Sequence, residues 1–273
     1  MAARSYLFVP ADRPERYVKA LGAGAGAVIV DLEDAVAPGA KAGARDALSA
    51  WLPTAPAPVL VRVNAAETEW FGDDLAVCGH PSVAGIVLPK AERRASLAHA
   101  SAIAAGKRLY PLVETAAGFD AMRTLAGAPG VERLMFGSID FQVDLGIGGE
   151  GDELLYFRSQ IVLVSRLAGL RAPVDGVCTA IDDPPQLRAD ADRARKLGFG
   201  AKLCIHPKQV HEVNAAFAPR DAEVDWARRV LEAAARAGGA AVAVDGKMID
   251  RPVMLRAQAI LDDADGEASG RRG

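Results

Sequence analysis

At 273 residues the chain is long enough for one α/β barrel or for two smaller domains. It is 51% hydrophobic and 25% charged with a formal net charge of −3, so it has no basic excess to hold a phosphate backbone, and nucleic acid is not an expected partner. Its three cysteines, Cys78, Cys178 and Cys204, lie far apart and outside any metal-binding spacing, which predicts buried free thiols in a reducing compartment.

Eight short apolar runs recur along the chain: Tyr6–Val9, Ala27–Val30, Val59–Val63, Ile86–Leu88, Leu109–Val113, Leu134–Phe136, Val174–Cys178 and Lys202–Ile205. They are rich in Val, Ile and Leu and lack clean alternation, as strands buried on both faces do. Helical patterns follow nearly all of them, over Pro14–Leu21, Lys41–Leu52, Ala91–Ala104, Ala117–Leu125, Glu153–Leu170, Pro185–Leu197 and Pro207–Phe217. This order predicts a (β/α)8 TIM barrel over residues 1–218, with a doubly wound open sheet as the alternative. Residues 219–262 read as an extension: an amphipathic helix over 221–238, a hairpin near 240–250, and a helix from Pro252 to about Leu261. The polar, Gly-containing stretch 263–273 reads as a disordered tail. No secretory leader is expected, since the amino terminus runs straight into Ser5-Tyr6-Leu7-Phe8-Val9. The longest apolar-rich stretch, Leu154–Leu170, carries Arg158 and Arg166 and is too short to span a bilayer. A cytoplasmic protein with no membrane partner is expected.

In a parallel barrel the chemistry gathers at the carboxyl ends of the strands. Those ends carry Asp12 and Arg13, the cluster Asp31, Glu33 and Asp34, then Arg62 and Asn64, Lys90, Glu114, Asp140 and His206. Charges that follow buried strands are costly unless paired or ligated. Glu114 and Asp140, at the ends of adjacent strands, are the candidate metal ligands. Two carboxylates with waters and substrate oxygens suit Mg²⁺, which seldom takes a full protein cage. Arg62, inside a buried strand, either serves a substrate carboxylate or enolate oxygen, or pairs with Asp31 or Glu33. Lys90 is expected to pair with Glu33 or Glu114, and the acidic triplet to neutralise neighbouring cations. The run Gly22-Ala23-Gly24-Ala25-Gly26 precedes a strand and follows a helix, the reverse of a dinucleotide-binding loop, so it reads as a helix stop.

Taken together, several segments resemble the citrate lyase β-subunit-like family within the HpcH/HpaI aldolases, whose relatives include malyl-CoA and citramalyl-CoA lyases. They are Leu7-Phe8-Val9-Pro10, Asp31-Leu32-Glu33-Asp34, Val61-Arg62-Val63-Asn64, Leu88-Pro89-Lys90, Val113-Glu114-Thr115, Phe136-Gly137-Ser138-Ile139-Asp140, Cys204-Ile205-His206-Pro207 and Gly246-Lys247-Met248-Ile249-Asp250. The resemblance implies a Mg²⁺-dependent lyase that makes or breaks a C–C bond beside an acyl thioester, joining a 2-oxo acid to a short acyl-CoA. It implies Glu114 and Asp140 as metal ligands, with Glu114 also facing substrate, and Arg62 as the group that steadies the enolate and substrate. Phe8, Arg13 and Lys19 match coenzyme A-binding positions, and His206 is expected to touch substrate. Asp250 matches an acid/base delivered by a neighbouring subunit, which implies a trimer or hexamer. Two alternatives share the framework: an aldolase on a free 2-oxo acid product without a thioester, or a subunit of a citrate-lyase-type complex that works with an acyl carrier protein. At two places the chain departs from the family: Ile139 stands where many members carry glutamate, and Pro10-Ala11-Asp12 where glycine and asparagine or serine are usual.

Overall fold

A computed structural model describes residues 3–236 and 242–270. Eight strands pair in parallel in chain order: β1 (Ser5–Pro10), β2 (Ala27–Asp31), β3 (Val59–Arg62), β4 (Val83–Leu88), β5 (Arg108–Val113), β6 (Met135–Phe136), β7 (Val174–Asp175) and β8 (Ala201–Cys204). β8 pairs back onto β1, with Ser5 against Lys202 and Leu7 against Cys204, so the sheet closes. This is the (β/α)8 barrel and not the open sheet.

Burial on both faces follows from the period of two in each strand. Tyr6, Ile29, Leu60, Val87, Tyr110, Leu112, Met135, Val174, Ala201 and Leu203 pack together inside the barrel. Their neighbours, such as Leu7, Val30, Val61, Ile86, Val113 and Cys204, pack outward in the larger core. The helices are α1 (Tyr17–Leu21), α2 (Lys41–Trp51), α3 (Phe71–Cys78), α4 (Arg94–Ile103), α5 (Ala116–Ala126), α6 (Ser138–Leu145), α7 (Leu155–Leu167), α8 (Pro184–Leu197) and α9 (Pro207–Phe217). All three cysteines are free and buried, and burial pushes the Cys204 thiol up to about 12. Gly22 caps α1 and leads to β2, as a helix stop does.

Several expectations need correcting. α3 and α6 have no counterpart among the helical patterns read from sequence. β6 and β7 are two residues each, shorter than their apolar runs. Asp140 therefore stands not at the end of a strand but in the first turn of α6. There its negative charge is favoured by the free N–H groups of the helix start.

The chain divides into two compact units, one Ala3–Phe217 and the other beginning at Ala218. The second holds α10 (Asp221–Arg236), an antiparallel hairpin of β9 (Val242–Val244) and β10 (Lys247–Ile249), and α11 (Arg251–Gly270). Ala227, Val230, Ile249 and Ala257 form its core. The predicted helix from Pro252 thus continues to Gly270, and residues 263–270 are helical where composition predicts a disordered tail; 271–273 lie outside the described residues. Among the described residues no helix is long and apolar enough to cross a membrane.

Candidate active site

One step beyond the inward-facing apolar layer, the same period of two brings Phe8, Asp31, Arg62 and Glu114 into the mouth of the barrel. They line a cavity of about 360 Å³ together with Asp34, Ile139, Asp140, Val177, Leu203 and Ile205. Asp31 and Arg62 are register partners on adjacent strands, which places their side chains face to face. Arg62 Nε and Nη2 donate to the two Asp31 oxygens at 2.7 and 2.6 Å. Its Nη1 lies 2.9 Å from Glu33 and 3.4 Å from Asp34. Burial works against the charge, but these three carboxylates outweigh it and raise the Arg62 pKa above its usual value. The Phe8 ring packs on the guanidinium, 4.8 Å from its carbon. Both readings of Arg62 thus survive: it faces the cavity, and it is a buried ion pair.

Glu114 is held by the chain on either side of it. Thr115 caps α5 by accepting the Gly118 N–H at 3.0 Å, which leaves Glu114 as the one residue between strand and cap. Glu114 Oε1 accepts the Lys90 backbone N–H at 2.6 Å. Lys90 adopts a φ of +45°, a left-handed conformation that non-glycine residues avoid. Its ammonium pairs with Glu33 at 2.9 Å, as the sequence predicts. Glu114 Oε2 is buried with no hydrogen-bond partner. A Cβ at Gly137 would stand 2.5 Å from that oxygen, so glycine there keeps space open for the carboxylate. Burial, then the charge of Glu33 and further that of Asp140, push the Glu114 carboxyl up to about 8.

A buried carboxylate with an unsatisfied oxygen and a second carboxylate close enough to raise its pKa is a site short of positive charge. Among the described residues no group of three or more His, Cys, Asp or Glu is arranged for a metal. The two carboxylates Glu114 and Asp140 therefore fit a hard cation that keeps water or substrate oxygens, and do not fit a closed zinc site.

The remaining predicted residues fall elsewhere. Lys19 and His206 line a second cavity of about 340 Å³ with Phe8, Arg16 and Ile205; His206 is not among the residues lining the first. Arg13 is exposed, bonded to Glu15 at 2.7 Å, and lines neither cavity. Asp250, in the second unit, is exposed and caps α11 by accepting the Val253 N–H at 3.1 Å. Sequence reasoning missed the Lys90 N–H as the group that fixes Glu114, and no residue type signals it. It also missed Val177, Leu203 and Ile205 as lining, whereas Ile139 is singled out as a departure from the family; the strand period of two would have placed Leu203 and Ile205 inward.

The layout is that of a barrel enzyme with its chemistry over the carboxyl ends of the strands. The chain belongs to the HpcH/HpaI aldolase/citrate lyase family, which matches residues 4–207. It is 41% identical to a citrate lyase subunit beta-like protein of Deinococcus radiodurans over 94% of this chain and 96% of that one. It is 34% identical to a (3S)-malyl-CoA thioesterase of Cereibacter sphaeroides over 98% and 96%. The crystal structure of CitE from Mycobacterium tuberculosis, in complex with magnesium, acetoacetate and coenzyme A, superposes with a TM-score of 0.86 at 36% identity, covering 97% of this chain and 98% of that one.

Proposed function

We propose that the protein is a Mg²⁺-dependent C–C lyase that cleaves or forms a carboxylated 3-hydroxyacyl-CoA, with a 2-oxo acid and a short acyl-CoA as the other partners. The observation that carries this reading is the buried, partnerless Glu114 oxygen beside Asp140, in a cavity that also presents Arg62. The magnesium, acetoacetate and coenzyme A bound to the Mycobacterium relative support it.

Glu114 and Asp140 hold the cation, which when bound supplies Lewis acidity to the oxygens of a hydroxy or oxo acid. In the condensation direction Asp250, delivered by a neighbouring copy of the chain in a homo-oligomer, takes the α-proton of the acyl thioester. The electron pair of that C–H bond passes to the thioester oxygen as an enolate. Arg62 has five N–H groups. Three donate to Asp31 and Asp34, Nη1 also forms an ion pair with Glu33, and one N–H at Nη2 remains for the enolate oxygen. The enolate carbon then bonds to the carbonyl carbon of the 2-oxo acid, whose oxygen takes a proton from water and becomes the hydroxyl. Cleavage reverses these steps, with Asp250 returning its proton to carbon. Phe8, Lys19 and His206 frame the second cavity as the coenzyme A site, and Arg13 closes on the nucleotide from the neighbouring loop.

A condensation screen read by mass spectrometry tests the proposal. Purified protein with Mg²⁺ is offered acetyl-CoA or propionyl-CoA with glyoxylate, pyruvate or oxaloacetate. An adduct that EDTA abolishes is the expected result; no adduct from any pair, with Mg²⁺ bound, would contradict it. The Arg13→Ala, Lys19→Ala double variant is expected to raise the KM for the acyl-CoA at least about tenfold. An unchanged KM would favour an aldolase that uses no thioester.

A further inference from the structure

Resting on that lyase reading, we propose that the cavity selects a 2-oxo acid with one carboxylate and an alkyl group at its far end, and rejects dicarboxylic 2-oxo acids. The specificity residues are Ile139 and Ile205.

The first observation is the division of the barrel mouth. Acidic and basic side chains enter the cavity from the β2, β3, β5 and β6 side: Asp31, Asp34, Arg62, Glu114 and Asp140. From β8 and the residues that follow β7 and β8 come only Val177, Leu203 and Ile205, and beside them Ile139 enters from the start of α6, between Ser138 and Asp140. β7 and β8 do carry charges, but these face the helix layer. Asp175 and Lys202 pair at 2.9 Å, and Asp175 also takes Arg158 of α7 at 2.9 Å, all three fully or nearly fully buried. One sector of the mouth is therefore apolar by construction.

The second observation is charge. The cavity lining carries four carboxylates against one guanidinium. Even with a divalent cation in place, that lining has no positive charge to spare. Arg62 is committed to Asp31 through two N–H groups and to Glu33 and Asp34 through a third position, so it has no fork left for a second substrate carboxylate. Lys90 points its ammonium at Glu33 and is not among the residues lining this cavity. A substrate carboxylate held with the cation is accommodated. A second one would lose its water against isoleucine and valine and face carboxylates instead of a partner. An alkyl group at the same place gains by burial.

Two probes of nearly equal shape separate the cases. Oxaloacetate and 4-methyl-2-oxopentanoate share a skeleton, with a second carboxylate in one where the other has an isopropyl group. Each, the first freshly prepared, is titrated calorimetrically into the full chain with Mg²⁺ and no acyl donor, alongside pyruvate and 2-oxobutyrate. The expected result is at least tenfold tighter binding of 4-methyl-2-oxopentanoate or 2-oxobutyrate than of oxaloacetate. Ile139→Arg is expected to shift that ratio toward oxaloacetate by at least tenfold while the rise in melting temperature on adding Mg²⁺ persists. Ile205→Lys, at a position 40% exposed and so tolerant of charge, is expected to shift it in the same direction. Oxaloacetate binding as tightly as the alkyl acids, or both variants leaving the ratio unchanged, would overturn the specificity and leave the lyase reading standing. Absence of binding by every 2-oxo acid with Mg²⁺ bound would overturn both.

Discussion

The backbone N–H of Lys90 meets Glu114 Oε1 at 2.6 Å, and Lys90 holds a left-handed φ of +45° to place it there. One oxygen of the carboxylate is thereby fixed by the chain and the other is left to the cavity. Such a conformation costs a non-glycine residue about 1–2 kcal/mol, and the surrounding structure sustains it at the site where a carboxylate must be aimed. Glycine would adopt the same φ freely and keep the N–H. Lys90→Gly is therefore predicted to stay within about 1 kcal/mol of the parent, because relief of strain offsets a half-exposed ion pair to Glu33. It should keep the rise in melting temperature on adding Mg²⁺, measured by differential scanning fluorimetry. Loss of that rise would mean that the ammonium, and not the N–H, secures the site.

The proposed role of Glu114 predicts that Mg²⁺ binding depends on pH. Its pKa in the folded protein, about 8, lies above the ordinary value of 4.5. A raised carboxyl favours the protonated folded state, so without metal its contribution to stability is full below about 4.5 and is lost as pH rises toward 8. A cation binds the deprotonated form and must displace the proton. Apparent Mg²⁺ affinity is predicted to climb with pH, by up to roughly tenfold per unit below the pKa, and to level off above it. Calorimetric titration of the free protein between pH 6 and 9 checks this; a flat profile would remove Glu114 from the metal site.

The proposed reading gives Arg62 a part in both stability and chemistry. Truncation in Arg62→Ala leaves Asp31 buried without its ion-pair partner and Glu33 with Lys90 alone, which is predicted to cost about 3 kcal/mol in urea unfolding. Arg62→Lys keeps the charge but loses the fork, so most of that stability should return. Its kcat should still fall by about 100-fold, since no N–H remains aimed at the enolate oxygen. Equal kcat in Arg62→Lys and the parent would make the residue structural alone.

Asp175 is the contrasting case, a buried acid away from the cavity. Burial raises its pKa, but Lys202 and Arg158 outweigh that and hold it below its usual value of 3.8. A depressed carboxyl contributes stability above its ordinary pKa and loses it as pH falls through the folded value. Asp175→Asn is predicted to destabilise by about 3 kcal/mol at neutral pH. The gap should close below about pH 4, and the Mg²⁺ response should stay unchanged. A variant that lost Mg²⁺ binding while folded would tie this triad to the active site.

Much of the barrel is legible in the chain because strands buried on both faces write unbroken apolar runs, as at Leu109–Val113. The end of such a run locates Glu114 directly. Asp140 reads one element too early because β6 is only two residues long and helix α6 begins at Ser138, just two residues after the strand ends at Phe136. α3 escapes for another reason. Its first turn contains Gly72, Asp73 and Asp74, which look like a loop, yet Asp74 is fully buried. It accepts from the Asn64 backbone and side chain and from Arg45 Nε at 2.7–2.9 Å. A polar residue acting as core hides the helical period. The backbone turn at Lys90 and the apolar sector of the cavity depend on three-dimensional register, which no single run records.

The central claim is that Glu114 and Asp140 together hold one divalent cation in each chain. Titration with Mn²⁺ followed by electron paramagnetic resonance, in the parent and in Glu114→Gln and Asp140→Asn, tests it without relying on turnover. One site per chain in the parent, weakened at least about 100-fold in each folded variant, is the predicted result. Undiminished binding in either variant would contradict it.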